Sequence, residues 1–351
     1  MTIGTGALLL GSPGQPAPLR DAKGEVLPGS LSERVTLTIG GVDQGMFIQT
    51  VDPSNPVLLF LHGGPGMPEF FLDTTHPTGL ERHFTMAWWE QRGAGMSFSR
   101  DIPPESMTVE RLVDDAIEVA DYLRDRFGQD RIYLLAHSWG SFLGVQVAAK
   151  APDRFHAYIG MGQVVHQLRS ELLAHAHMVT AYRDRGDARM VRKLDAAPVT
   201  LTDGLSPAYM RLRDAAMHGL GIGTTRDMTS VVTGIFLPVW RSPAYTLREK
   251  VALWRGIGWS RQFLWEDFLR TDLSERFSRF ELPVYLLTGR HDYTASQDLA
   301  RTWFDRIEAP VKGFYWFENS AHSPVFEEPA KAQDILLTDV VRGAASAADA
   351  T

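Results

Sequence analysis

The stretch Ile132-Tyr133-Leu134-Leu135-Ala136-His137-Ser138-Trp139-Gly140 decides how this sequence is read. Ile132–Ala136 is a short apolar run, the length of a strand and too short for a helix. It reads as a strand covered on both faces. A helical pattern over Trp139–Lys150 begins directly after Ser138, so strand and helix are joined through one serine. Such a turn is tight, and the side chains two residues to either side of the serine must be small. Ala136 and Gly140 meet that need, and Gly140 and Gly144 let the helix approach the strand closely. The turn presents the Ser138 hydroxyl as a candidate nucleophile. The alternative is that Ser138 only caps the helix.

Working outward, similar buried-strand runs recur at Val57–Leu61, Phe84–Trp89, Ala157–Gly160, Val284–Leu287 and Phe314–Phe317. Helical patterns lie between several of them. In Glu110–Phe127, the apolar residues Leu112, Ala116, Val119, Ala120, Leu123 and Phe127 fall on one helix face, and Gly128 supplies the stop. A further helix is expected over Glu327–Arg342. Strands alternating with helices imply a mostly parallel sheet flanked by helices, an α/β fold. The runs Arg34–Ile39 and Gly45–Val51, around Gly40-Gly41, suggest a hairpin forming an antiparallel edge. The alternation breaks between Val164 and Phe280, where the chain is mostly helix-forming with breaks at Pro198, Pro207, Pro238 and Pro243. This predicts one discontinuous core, residues 1–163 and 281–351, carrying a helical insertion over 164–280. Residues 1–30 read as an irregular lead-in, and Gly343–Thr351 as a fraying end.

Two further loops carry chemistry. His62-Gly63-Gly64-Pro65-Gly66 follows the Val57–Leu61 strand directly. A glycine-rich turn there exposes backbone N–H groups, and Gly64 and Trp139 are the expected oxyanion donors. An ordinary Gly/Pro turn is the alternative. A phosphate loop is disfavoured, because neither glycine spacing nor a following Lys-Ser/Thr is present. Farther along, Thr288-Gly289-Arg290-His291-Asp292 follows one strand and Glu318-Asn319-Ser320-Ala321-His322-Ser323 the next. Ser138, Asp292 and His322 thus occur in the order nucleophile, acid, base, each just past a strand's C-terminal end. Asp298 and Asp305 are the alternative acids, placed in the next helix. None of the other ten histidines combines a loop after a strand with a position downstream of the acid. His62 is expected to orient its loop.

Composition narrows the chemistry. The chain has 351 residues, 44% hydrophobic and 22% charged, which suits a large buried core. Its net charge of −7 and lack of a basic block argue against a nucleic-acid partner. With no cysteine, thiolate nucleophiles, disulfides and Cys-ligated metals are excluded. His175 and His177 stand two apart on a helix and do not share a face, so no metal is expected. The apolar run Ala7–Leu10 is too short for a signal peptide, and no stretch approaches the ~18 apolar residues of a membrane span. The expectation is a cytoplasmic protein that does not insert in a membrane; oligomeric state is not legible.

At this point the sequence resembles the prolyl iminopeptidase-like group of α/β hydrolases. The matching pieces are His62-Gly63-Gly64-Pro65-Gly66, Trp89-Glu90-Gln91-Arg92-Gly93-Ala94-Gly95-Met96-Ser97, His137-Ser138-Trp139-Gly140-Ser141, Gly289-Arg290-His291-Asp292 and Ala321-His322-Ser323. They span about residues 34–163 and 281–342. The resemblance implies an α/β-hydrolase fold with a helical cap after the sixth strand, and a cofactor-free serine hydrolase with a Ser138–His322–Asp292 triad. Two positions depart from the group's usual pattern: Glu90, where it has Asp, and Ala136, where it has Gly. Glu90 and Arg92 are expected to form a structural ion pair.

The resemblance also implies that acidic residues of the cap hold the substrate's free α-amine. The insertion offers Glu171, Glu249, Glu266 and Asp267. The stretch Trp265-Glu266-Asp267-Phe268 is closest to the expected aromatic–acidic motif, which makes Glu266 the candidate anchor, with Trp265 and Trp259 as further substrate-binding candidates. The alternative is that these aromatic residues pack the insertion onto the core. Expected substrates are small esters, amides or short peptides, through an acyl-enzyme on Ser138. Competing readings are a carboxylesterase or lactonase without aminopeptidase activity, and a non-catalytic receptor built on a hydrolase core. Epoxide hydrolase and dehalogenase chemistry, which uses Asp as nucleophile in this fold, is disfavoured by Ser138.

Overall fold

The computed structural model describes residues 11–349. The readings of Met1–Leu10, including the short apolar run, lie outside the described residues. At its centre is an eight-stranded sheet. In chain order its strands are β1 (Leu31–Ile39), β2 (Val42–Thr50), β3 (Val57–Leu61), β4 (Thr85–Trp89), β5 (Ile132–His137), β6 (Phe155–Met161), β9 (Val284–Gly289) and β10 (Lys312–Phe317). Strands β7 (Val199–Thr200) and β8 (Gly204–Leu205) form a separate short hairpin. The sheet order is β1-β2-β4-β3-β5-β6-β9-β10. Pairings are antiparallel for β1/β2 and β2/β4 and parallel for the rest, so the expected hairpin forms the antiparallel edge.

The all-apolar strands are explained by covering on both sides. In β3, Val57, Leu59 and Leu61 join one apolar cluster while Leu58 and Phe60 join a second. Strand β5 divides alike, with Ile132, Leu134 and Ala136 on one face and Tyr133 and Leu135 on the other. Alternation sends successive side chains to opposite faces. Burying each large aliphatic contributes about 1.5–3 kcal/mol, so neither face tolerates polar residues here.

Helices supply those covers. The helix Val109–Phe127 buries Leu112, Val113, Ala116, Val119, Ala120 and Leu123. Thr108 caps its start by accepting the Arg111 N–H, and Gly128 ends it at φ 62°. Helix Trp139–Lys150 packs against β5. Gly140 is required there, because a Cβ would fall 2.1 Å from the Leu61 carbonyl oxygen.

Two expectations about the C-terminal region are corrected. The single helix over Glu327–Arg342 is broken into Pro324–Glu327, Pro329–Ile335 and a widened turn at Leu336–Val340. Pro329 has no N–H and restricts its predecessor, so Glu328 sits at φ −129°, ψ 61° and interrupts the helix. The following segment does not fray over its described residues. The Asp349 N–H donates to the Phe314 carbonyl, and its carboxylate accepts from the Trp316 N–H. Asp339 accepts from the Ser346 and Ala347 N–H groups. Ala350 and Thr351 lie outside the described residues.

Between β6 and β9 run the helices Gln167–Asp184, Ala188–Asp195, Pro207–Leu220, Leu237–Arg241, Leu247–Arg270 and Leu273–Arg276. The first three share an apolar cluster that includes Leu168, Met178, Tyr182, Leu194, Tyr209 and Met217. The long Leu247–Arg270 helix lies on the sheet side, with Leu264 and Phe268 in the main core. Gly256 allows this contact, since a Cβ would lie 2.6 Å from the Gly93 carbonyl oxygen.

Candidate active site

Ser138 sits where β5 turns into its helix, at φ 55° and ψ −121°. It is the one non-glycine residue with positive φ among the described residues. Such a conformation costs about 1–3 kcal/mol and persists only where the surroundings impose it. Here the Ser138 N–H donates to the Met161 carbonyl, and the Ser138 carbonyl accepts the N–H groups of Ser141 and Phe142. The main chain is pinned on both sides of the hydroxyl-bearing residue. The alternative reading as a side-chain cap does not hold, since Ser138 makes no capping hydrogen bond.

The loops after β9 and β10 bring Asp292 and His322 together. His322 Nδ1 donates to Asp292 Oδ2 at 2.9 Å. The other carboxylate oxygen accepts the N–H groups of Thr294 and Ala295, which fixes the carboxylate. Because Nδ1 faces a carboxylate, the proton of the neutral ring lies there and Nε2 carries the lone pair. His322 is 4% exposed, and its Nε2 has no partner among the described residues. Glu327 accepts the N–H groups of Ala321 and Ser323, on either side of His322. Burial pushes the Glu327 carboxyl up to about 7, against these hydrogen bonds. Asp298 and Asp305 lie on the helix Gln297–Arg306, and Asp305 pairs with Arg301.

Ser138 and His322 line one cavity of about 300 Å³ together with Gly63, Gly64 and Pro65. Gly64 adopts φ 127°, and a Cβ there would fall 2.4 Å from the Gly66 nitrogen. The N–H of Trp139 belongs to the first helical residue and has no intrahelical acceptor by its position. The Trp139 indole is buried and donates to Gln91 at 2.8 Å, so only its main chain is free to serve the site. His62 holds the glycine loop as expected. Its Nδ1 meets the Gly63 carbonyl and its Nε2 accepts the Gln91 N–H, while burial pulls its pKa down to about 4.

The insertion supplies the opposite wall with Arg213, Met217, Trp254, Ile257 and Arg261. The three substrate-binding candidates are not on that wall, and this corrects their assignment. Glu266 is two-thirds exposed and pairs with Arg270 one turn away. Trp259 packs on Phe98 and Phe263, and Trp265 on Phe268 with the Arg261 guanidinium over its ring. Trp259 stands on a different side of the helix Leu247–Arg270 from Trp254, Ile257 and Arg261, whereas Trp265 shares their face one turn beyond Arg261, past the residues that line the cavity. Other acids of the insertion are already engaged. Glu171 is buried and receives Tyr209, Gln167 and Arg213. Glu249 caps its own helix and pairs with Arg34.

The expected Glu90–Arg92 pair is also corrected. Arg92 donates to Asp115 at 2.7 and 3.0 Å, with both side chains fully buried. Glu90 instead accepts from the Tyr245 hydroxyl at 2.6 Å and from the Met96 N–H. Burial raises Glu90 to about 8 despite those two bonds.

Glu69 and His137 are among the cavity residues that escaped the sequence reading. Glu69, 7% exposed, lines the cavity three residues past the glycine loop. Its Oε1 meets His137 Nδ1 at 2.7 Å, whereas its Oε2 is buried without a partner. No periodicity marks it, and only proximity to the glycine loop hinted at a role. His137 stands inside the decisive motif, but adjacency to Ser138 gives no sign of where its ring points.

The family model described as alpha/beta hydrolase fold matches residues 56–329. The probable aminopeptidase YbaC of Bacillus subtilis (strain 168) is 31% identical over 296 residues, covering 84% of this chain and 92% of that protein. The proline iminopeptidase of Lactobacillus delbrueckii subsp. lactis is 22% identical over 80% of this chain and 88% of its own length. Among solved structures, the proline iminopeptidase of Mycobacterium smegmatis superposes with a TM-score of 0.66 at 20% identity, covering 88% of this chain and 98% of that one. That likeness concerns the fold. Among the described residues, no helix is long and apolar enough to cross a membrane.

Proposed function

This chain belongs to the α/β-hydrolase fold family, and from that premise we propose that it is a serine hydrolase of aminopeptidase type. One observation carries the reading: His322, whose Nδ1 is held by Asp292 and whose buried Nε2 has no partner among the described residues, lines the same cavity as Ser138. Ser138 Oγ attacks the substrate carbonyl carbon while His322 Nε2 takes its proton. The N–H groups of Gly64 and Trp139 receive the developing oxyanion. Collapse expels the amine or alcohol, protonated by His322, and leaves an acyl-enzyme. Water, deprotonated by the same ring, then releases the acid and restores Ser138. Asp292 orients the imidazole and stabilises its cation. No cofactor enters these steps.

Small amides and esters with a free α-amine are the proposed substrates, short peptides among them. Glu69 supports this choice, and it replaces Glu266 as amine anchor. Its buried, unpartnered oxygen would gain most from a cation. Placement agrees: Glu69 Oε1 and Ser138 Cβ both lie within 3.3 Å of the point where a Cβ on Gly63 would sit. An α-nitrogen stands only about 2.5 Å from the scissile carbonyl carbon, so its anchor must lie beside the nucleophile. The apolar wall of Met217, Ile235, Trp254 and Ile257 favours a second reading, an esterase for hydrophobic acyl groups. Residues 164–280 then act as a lid, since they roof the cavity.

Exposure to a fluorophosphonate followed by mass spectrometry tests the chemistry. Label on Ser138 of folded protein is expected; an unlabelled Ser138 would leave a non-catalytic receptor. Turnover of aminoacyl amides against their N-acetylated forms and simple aryl esters tests the substrate class. Indifference to the free amine would favour the esterase.

A further inference from the structure

The ring of His137 is 1% exposed and meets two acceptors. Nδ1 lies 2.7 Å from Glu69 Oε1, and Nε2 lies 2.9 Å from the main-chain carbonyl oxygen of His322. A carbonyl oxygen only accepts, so Nε2 carries a hydrogen. An ionised carboxylate also only accepts, so Nδ1 carries one too. With Glu69 ionised, the two bonds together therefore require an imidazolium. The titratable groups around this ring are Glu69, Asp292, His322 and His62. Burial disfavours the cation, but the charge and hydrogen bond of Glu69, the His322 carbonyl and the charge of Asp292 outweigh it, so His137 is raised above its ordinary value. His62 is depressed to about 4 by burial and adds no positive charge at neutral pH.

We propose that Glu69 and His137 form a second acid–histidine couple, with His137 as an imidazolium, that positions His322 through its main-chain carbonyl. The proposal rests on the reading of His322 as the general base. The peptide N–H groups beside His322 are held by Glu327, but its carbonyl receives a hydrogen bond from His137 alone among the described residues. A charged donor makes that bond stronger than a neutral one would. The two rings also lie 4.7 Å apart at 45°, so a shift of His137 is felt directly by His322. Stability does not account for the couple. A buried ion pair is often no better than an apolar replacement, and this one leaves a carboxylate oxygen unpaired. Asp292 thus sets the orientation of the His322 ring, and Glu69 acting through His137 sets the position of its backbone. On the proposed reading of Glu69 as amine anchor, amine recognition would stand one hydrogen-bonded residue away from the base.

Side-chain nitrogen NMR near neutral pH, with His137 assigned by its loss in His137→Gln, tests the charge. Two protonated ring nitrogens are expected; one unprotonated nitrogen would overturn the proposal. An aryl ester without an amine tests positioning apart from amine binding. His137→Phe should lower its kcat by about ten- to a hundredfold, with KM changed by less than about threefold. His137→Gln, which still donates to the His322 carbonyl, should recover part of the loss. Full activity in His137→Phe, or no recovery in His137→Gln, would sink the positioning role. If His137→Phe does not fold, Glu69→Gln is read by the same NMR, where His137 must lose its proton at lower pH than in the parent. An unlabelled Ser138 in the parent protein would instead overturn the hydrolase reading, and the NMR result separates that failure from this one.

Discussion

The loops at the C-terminal edge of the sheet and the helical wall opposite them line the same cavity by different physical means. At the sheet edge, each residue proposed to carry chemistry lies in the loop or turn that leaves a strand: Gly64 after β3, Ser138 after β5, Asp292 after β9 and His322 after β10. Strand register fixes where each loop starts, and short loops leave little freedom. In the segment 164–280, the cavity-facing Arg213, Met217, Trp254, Ile257 and Arg261 stand on helices among residues that only pack. A helix offers its full circumference, and its neighbours decide which side meets the cavity. On the proposed function, chemistry and amine recognition are concentrated at the edge, while the wall contributes shape, apolar surface and charge.

Four substitutions sharpen or break that contrast, in descending order of effect. Ser138→Ala should cut turnover on the order of 10⁴-fold or more, with stability changed by no more than about 1 kcal/mol. Steady-state kinetics beside a denaturant melt checks both halves, and substantial residual turnover would move the chemistry away from the edge. Arg213→Met strikes the wall's internal order. It leaves Glu171, 1% exposed, without a counter-charge, and a loss of about 3 kcal/mol is expected in urea unfolding. A loss under about 1 kcal/mol would show that the wall does not depend on this pair.

Glu90→Gln probes the join between the two regions, where Tyr245 of the segment meets a core carboxyl. Burial raises this carboxyl from 4.5 to about 8 in the folded protein. Below the lower value both states are protonated, and the neutral form suits the buried site. Its stabilising contribution is lost as pH rises through the window between the two values. The parent should therefore lose stability relative to Glu90→Gln from about pH 5 to pH 8, as followed by thermal melts. A difference that stays flat across that window would mean that Glu90 is not protonated when folded. Last, Glu266→Gln should leave kcat/KM within about twofold, because its side chain is exposed beside Arg270. A large rise in KM would bring Glu266 back as an anchor and place amine recognition on the wall.

Legibility followed the same division. The strands Val57–Leu61 and Ile132–Ala136 were readable because burial on both faces admits only apolar residues. The order Ser138, Asp292, His322 was readable because each follows such a run. Glu90–Arg92 misled because closeness in sequence does not set side-chain partners within a loop: Glu90 meets Tyr245, and the partner of Arg92 is Asp115 on the helix Val109–Phe127. Trp259, Trp265 and Glu266 misled because aromatic and acidic residues at helical spacing serve packing and solvent as readily as a ligand.

The sequence by itself determined the layered sheet, the strand–serine–helix turn and the candidate catalytic residues, because local polarity patterns and tight-turn sterics leave marks in the chain. Tertiary structure alone decided which wall residues line the cavity of Ser138, that Glu69 lines it with one buried carboxylate oxygen unpartnered, and that His137 bridges Glu69 to the His322 backbone. Those contacts join residues up to 185 positions apart, and no local pattern records a distance that only the folded chain creates.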